Sequence, residues 1–196
     1  EAALRALPIE RGMVVDLGGG SLQVTPIEGG SIGPSTSVPL GVARLLRRFC
    51  ANDPAPPAEL DAMRSEIREH VSPLLEPVPK DGRALASGGI VSALARFALA
   101  RRAPAQAPPS RPQTHACTLP LGELSELRAS LEPLTLHARI TTRGIEPERA
   151  DVIVVGAVVL EEVLALSGYP ELTASRTSVR EGVLWREAVS YAGSKL

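Results

Sequence analysis

Two short stretches combine a carboxylate or hydroxyl with glycines in a pattern that suits anion chemistry. The first is Asp16-Leu17-Gly18-Gly19-Gly20-Ser21, where an apolar run closes on an aspartate and three glycines follow. Glycine has no side chain to hold a ligand away, and successive backbone amides can converge on an anion. A carboxylate beside such a nest can hold magnesium or orient a water. An ordinary hairpin turn with a helpful Asx residue explains the same residues without a ligand. The second stretch is Ser87-Gly88-Gly89, between a short apolar run at 83–86 and a helical pattern from residue 90. Amides at a helix N-terminus bind anions well, although a helix cap by Ser87 accounts for it too. Two such loops in one chain, one with an aspartate, strengthen the reading of a phosphate cleft beside these local explanations.

Other chemistries find little to work with. The P-loop pattern and the zinc-protease HExxH pattern are both absent. The histidines, His70, His115 and His137, are scattered, and Cys50 and Cys117 form no CxxC pair. Both cysteines are expected to be reduced and buried. The net charge is −1 and only five residues are aromatic (two Phe, one Trp, two Tyr). That argues against a non-specific nucleic-acid binder, which needs a basic excess, and against a base-stacking platform. Of 21 basic residues only Lys80 and Lys195 are lysine. Guanidinium groups suit bidentate phosphate contacts, although genome composition alone can produce the bias. The apolar run at 152–160 is too short to span a bilayer. No basic-then-apolar leader pattern opens the chain. A soluble, cytoplasmic protein is expected.

The elements that must position the two loops can be read from periodicity. Residues 12–17, 21–27 and 31–38 read as three antiparallel strands joined by glycine-rich turns, the third weakened by Pro34. The period then becomes helical over 42–49. A long amphipathic helix is predicted over 59–75, with Leu60, Met63, Ile67, Val71, Leu74 and Leu75 on one stripe. A buried strand at 83–86 and a helix at 90–100 follow. Residues 101–112 hold four prolines and read as a loop. A strand at 115–119, a helix at 121–131, an ambiguous stretch at 134–143 and a buried helix at 148–167 come next. A short strand at 172–174 and a helix at 179–191 complete the pattern. At 196 residues the chain can bury a full core, and this order predicts an α/β domain with helices covering a mixed sheet.

The string VVDLGGGSLQV, ending at Val24, resembles a signature of the exopolyphosphatase and guanosine pentaphosphate phosphohydrolase family. Four more segments are similar in the same order. They are Pro39-Leu40-Gly41-Val42-Ala43-Arg44-Leu45, Ala86-Ser87-Gly88-Gly89-Ile90, the stretch from Arg149 to Ala157, and the stretch from Ser175 through Arg180 to Leu184.

The resemblance implies a ribonuclease H-like domain of the actin, sugar kinase and heat-shock ATPase superfamily. Family members have two such domains around a cleft and remove terminal phosphate from inorganic polyphosphate, from guanosine pentaphosphate, or from both, with magnesium. On that pattern residues 1–11 are a remnant of the interdomain segment. Residues 12–178 are the second domain, and 179–196 a closing helix that packs on a first domain missing from this chain. An apolar face orphaned in this way would favour a homodimer. Neither a nucleic acid nor a membrane is an expected partner. The family's base falls on Glu1 in Glu1-Ala2-Ala3-Leu4, and its strand-end aspartate, serving water and metal, falls on Asp16. Phosphate-binding positions fall on Gly18, Gly19, Gly20, Ser21, Ser87, Gly88 and Gly89. The chain departs from the pattern in three places: Gly89 replaces a threonine, and Arg176 and Ser178 replace an aspartate and a glycine. These departures motivate an alternative, a non-catalytic polyphosphate or alarmone binding protein on the same fold. By itself the chain is expected to show little activity.

Overall fold

A computed structural model describes residues 2–104 and 113–176. Among these residues seven strands form one mixed sheet. Strand β1 (Arg11–Leu17) pairs antiparallel with β2 (Leu22–Glu28), so the first glycine loop is the β1–β2 connection. Two short strands, β3 (Ser31–Ile32) and β4 (Thr36–Val38), share the far edge of β2. The sequence pattern has a single strand here. Pro34 has no amide to donate, and at Gly33 the chain turns its amide to the Pro26 carbonyl, so the strand divides in two.

On its other side β1 pairs in parallel with β5 (Arg83–Ser87), and β5 pairs in parallel with β7 (Glu171–Ser175). Strand β6 (Cys117–Pro120) closes the edge antiparallel to β7. The predicted strands at 83–86, 115–119 and 172–174 are therefore present, with ends shifted by one or two residues.

The helices are α1 (Ala2–Ala6), α2 (Val42–Phe49), α3 (Pro57–Leu75), α4 (Gly89–Arg102), α5 (Leu121–Leu131), α6 (Leu136–Thr141) and α7 (Ile153–Ser167). The stripe predicted for α3 is its buried face, residue for residue. Helix α7 is apolar on nearly every side because α3, α4, α5 and α2 all pack around it. Its predicted start at 148 gives way to a 3-10 turn, Pro147–Arg149, before the helix proper. The ambiguous stretch contains α6, which Thr135 caps by accepting from the Ala138 amide at 3.3 Å. The predicted helix at 179–191 lies outside the described residues.

Side chains alternate across β1. Met13, Val15 and Leu17 face the large core under the helices, with Leu22 and Val24 of β2 beside them. Val14 faces the opposite side, where Ile9, Ile27 and Leu85 form a small cluster with Leu4 of α1. Asp16 shares that second face. Cys117 is buried, Cys50 half-buried and both are free thiols; burial pushes both thiols above their ordinary range.

Candidate active site

Parallel pairing brings the two glycine loops to one end of the sheet. Asp16 of β1 is the register partner of Ser87 of β5, and Ser87 is the partner of Ser175 of β7. These are carboxyl ends of parallel strands, where open α/β sheets place their ligands. The Ser87 hydroxyl bonds to the Asp16 carboxylate. Burial pushes the Asp16 carboxyl above the usual range, and the hydrogen bond from Ser87 pulls against that shift.

Ser87 does not cap α4. The N-cap of α4 is Gly88, and no side chain caps the helix. The first-turn amides of α4 are thus left without a capping acceptor. Gly88 has φ +120°, and a Cβ there would collide with the Leu17 carbonyl oxygen. Glycine is required for the start of α4 to lie against the end of β1, and this contact sets the two loops side by side.

The first loop is organised by α2. The Gly18 carbonyl accepts from the Val42 amide at 3.0 Å, and the Gly19 carbonyl accepts from Ala43 at 3.0 Å and Arg44 at 3.2 Å. The orphan donors of the α2 N-terminus are satisfied by the loop itself. Gly41 makes this possible, since a Cβ there would overlap the backbone of Gly20 and Ser21. The Gly18 amide donates to the Ser21 carbonyl at 3.0 Å. The Gly19 and Gly20 amides donate to no acceptor among the described residues, and Gly18 through Ser21 are exposed. Carbonyls turned inward and free amides at the surface are the arrangement an anion nest needs. Arg44 Nε donates to the Gly20 carbonyl at 3.3 Å, which adds a cation beside the loop.

The geometry gathers Asp16, Gly18, Gly19, Gly20, Ser21, Ser87, Gly88 and Gly89 at one sheet end. Glu1, Ser178 and Arg180 lie outside the described residues. Arg176 follows β7 at the same end, where its amide donates to His115 Nδ1 at 3.5 Å. Sequence reasoning missed the placement of Arg149, whose guanidinium lies against Gly89. No local signal marks it, because 60 residues of chain separate the two.

The donor set at Asp16 suits magnesium in its usual protein role. That ion typically takes one or two carboxylates and completes its shell with water and substrate phosphate. Asp16 offers one hard oxygen ligand at the strand end. Another acidic group, Glu66, Glu69 and His70, lies on α3.

The sequence and the fold both match known proteins. The family model for the Ppx/GppA phosphatase family matches residues 2–191. Exopolyphosphatase 2 of Mycobacterium tuberculosis is 31% identical over 185 residues, which is 92% of this chain and 56% of that protein. Exopolyphosphatase 1 of Mycobacterium leprae is 29% identical over 181 residues, covering 91% of this chain and 52% of that protein. The crystal structure of the Aquifex aeolicus Ppx/GppA family member superposes with a TM-score of 0.81 at 26% identity, over 97% of this chain and 61% of that one. An exopolyphosphatase from Cytophaga hutchinsonii gives a TM-score of 0.78 at 26% identity, over 94% of this chain and 59% of that one. The chain thus spans little more than half the length of these relatives. With the glycine loops, the strand-end aspartate and the mixed sheet of the actin-like ATPase fold all in the matched region, the chain belongs to the Ppx/GppA phosphatase family.

Proposed function

We propose that the protein is a phosphohydrolase that releases terminal phosphate from inorganic polyphosphate, guanosine pentaphosphate or both, with magnesium. The observation that carries this reading is the register pairing of Asp16 with Ser87 between two glycine loops. It sets a carboxylate beside free backbone amides from two directions.

Hydrolysis of a terminal phosphoryl group asks mainly for positioning and charge neutralisation. The oxygen of a water forms a bond to the terminal phosphorus while the anhydride bond to the next phosphate breaks. Orthophosphate and a chain shorter by one phosphate result. The Gly19 and Gly20 amides and the α4 first turn hold phosphate oxygens, with the Arg44 guanidinium beside the first loop. Asp16, held by Ser87, orients the water and accepts hydrogen bonds from it; Glu1 shares the role of base. A magnesium ion bound at Asp16 would supply further charge neutralisation.

The described residues from 12 to 176 then form one wall of the cleft. The relatives' greater length leaves room for a second wall contributed by another domain. The chain by itself is accordingly expected to turn over slowly.

Phosphate release from polyphosphate and from guanosine pentaphosphate, measured with the full-length protein and magnesium, tests the reading. Release from either substrate supports it. Tight binding without release would establish a binding protein instead, and neither binding nor release would discard both.

A further inference from the structure

A cavity of about 230 Å³ lies at the end of α2 remote from the first glycine loop. The chain leading into α3, helix α6 and the start of α7 enclose it with the last turn of α2. Leu46, Leu60, Val154 and Val155 give it an apolar floor. The polar residues around it are Asn52, Asp53, Glu132, Arg139 and Asp151.

Each donor nitrogen among these side chains is already engaged. Arg139 donates from Nε to the Ala150 carbonyl at 2.8 Å, from Nη1 to the Leu134 carbonyl at 2.7 Å and from Nη2 to Asp53 at 2.8 Å. Asn52 Nδ2 donates to Glu59 at 2.6 Å. The acceptors are not all used. Asp151 Oδ1 takes the Val152 amide, and Glu132 Oε1 takes both Arg64 and Arg128. The second oxygen of each carboxylate meets no donor among the described residues, and neither does Asn52 Oδ1.

A molecule that displaces water from these oxygens has to bring N–H donors of its own. A carboxylate or phosphate would meet like charge and no free donor. The floor takes an alkyl body, and burying it is favourable. The volume falls below the roughly 300–1,000 Å³ of drug-sized sites, so the molecule is small.

We propose that this cavity is a binding site for a small organic cation, an ammonium or guanidinium group on a short alkyl chain. The charged head bonds to the carboxylates of Asp151 and Glu132, and the chain lies on the apolar floor. The site uses none of the residues assigned to phosphate, and it does not rest on the phosphohydrolase reading.

The test titrates the full-length protein with n-butylammonium and n-butylguanidinium at constant ionic strength, read by thermal melting and calorimetry. Butyrate and n-butanol are the matched controls. At least one cation should raise the melting temperature in a saturable way, and neither control should do so. Asp151→Asn keeps the side chain's shape, removes its charge and should weaken cation binding about tenfold, the scale of one charge-assisted contact. Ala55→Trp, on the half-buried lining, should fill the space and abolish binding. Saturable binding by neither cation overturns the inference. An equal shift with n-butanol or butyrate overturns it too, as does cation binding undiminished in either variant.

Discussion

Asp16 and Ser87 stand opposite each other at the carboxyl ends of β1 and β5, and the serine hydroxyl donates to the aspartate. Burial and this bond act on the carboxyl in opposite directions, with burial the larger effect. Removing the hydroxyl leaves burial unopposed. In Ser87→Ala the ionised form of Asp16 loses its donor, so the carboxyl takes up its proton at a higher pH. The acid limb of the pH–rate profile for phosphate release should move upward relative to the unsubstituted enzyme. An unmoved limb would remove Asp16 from the titration that governs activity.

Asp16→Asn separates function from stability. Loss of the carboxylate should lower turnover by about a hundredfold or more, the usual contribution of a positioned base. Stability should move the other way at neutral pH. The folded-state pKa of Asp16 is raised, so protonated Asp16 contributes stability that is fully present below the unfolded-state pKa and lost as pH rises through the folded one. Asparagine never ionises. The variant should therefore melt above the unsubstituted protein at pH 7, and the gap should close in acid. Thermal melts at pH 7 and at pH 3 check this, and a lower melting point at pH 7 would contradict it.

Gly41→Ala tests the scaffold of the first loop. Its new Cβ would overlap the Gly20–Ser21 backbone, which cannot swing aside as a flexible side chain can. A destabilisation of about 2 kcal/mol or more is expected, with loss of phosphate release. Gly122→Ala is the control. Nothing lies within 4 Å of a Cβ there, and the position is in the first turn of α5. Replacing a helical glycine in open space should be neutral or stabilise by up to about 1 kcal/mol. Urea denaturation of the two variants reads the contrast.

Arg139→Ala tests the support of the turn that carries Arg149. Buried Arg139 donates from Nε to the Ala150 carbonyl at 2.8 Å and from Nη1 to the Leu134 carbonyl at 2.7 Å. Its Nη2 meets Asp53 Oδ1 at 2.8 Å. Removing it strands two carbonyls and takes the partner from a solvent-accessible carboxylate, and a loss of about 2–3 kcal/mol is expected. Urea denaturation of the variant reads the loss. Asp53→Asn, at the more exposed end of the pair, should cost less than Arg139→Ala.

The chain's local order was largely legible from its residues. The apolar run at 12–17 and the alternation at 21–27 specified β1 and β2, and the stripe from Leu60 to Leu75 specified α3. In each case the apolar period lies within a few residues of chain, where one face must leave water. Short or crowded segments were less legible. Pro34 and Gly33 divided the third strand, and α6 depends on a single threonine cap and on the buried Arg139.

The glycine loops were visible as candidates, but two local explanations competed for each. Only the tertiary structure showed that Ser87 does not cap α4 and that the α2 amides bond to the carbonyls of the first loop. The placement of Arg149 against Gly89 was decided there as well. The physical reason is the range of the interactions. Periodicity records what a residue does with its near neighbours, whereas parallel pairing of β1 with β5 and the Ile90–Gly156 contact join segments about 70 residues apart along the chain.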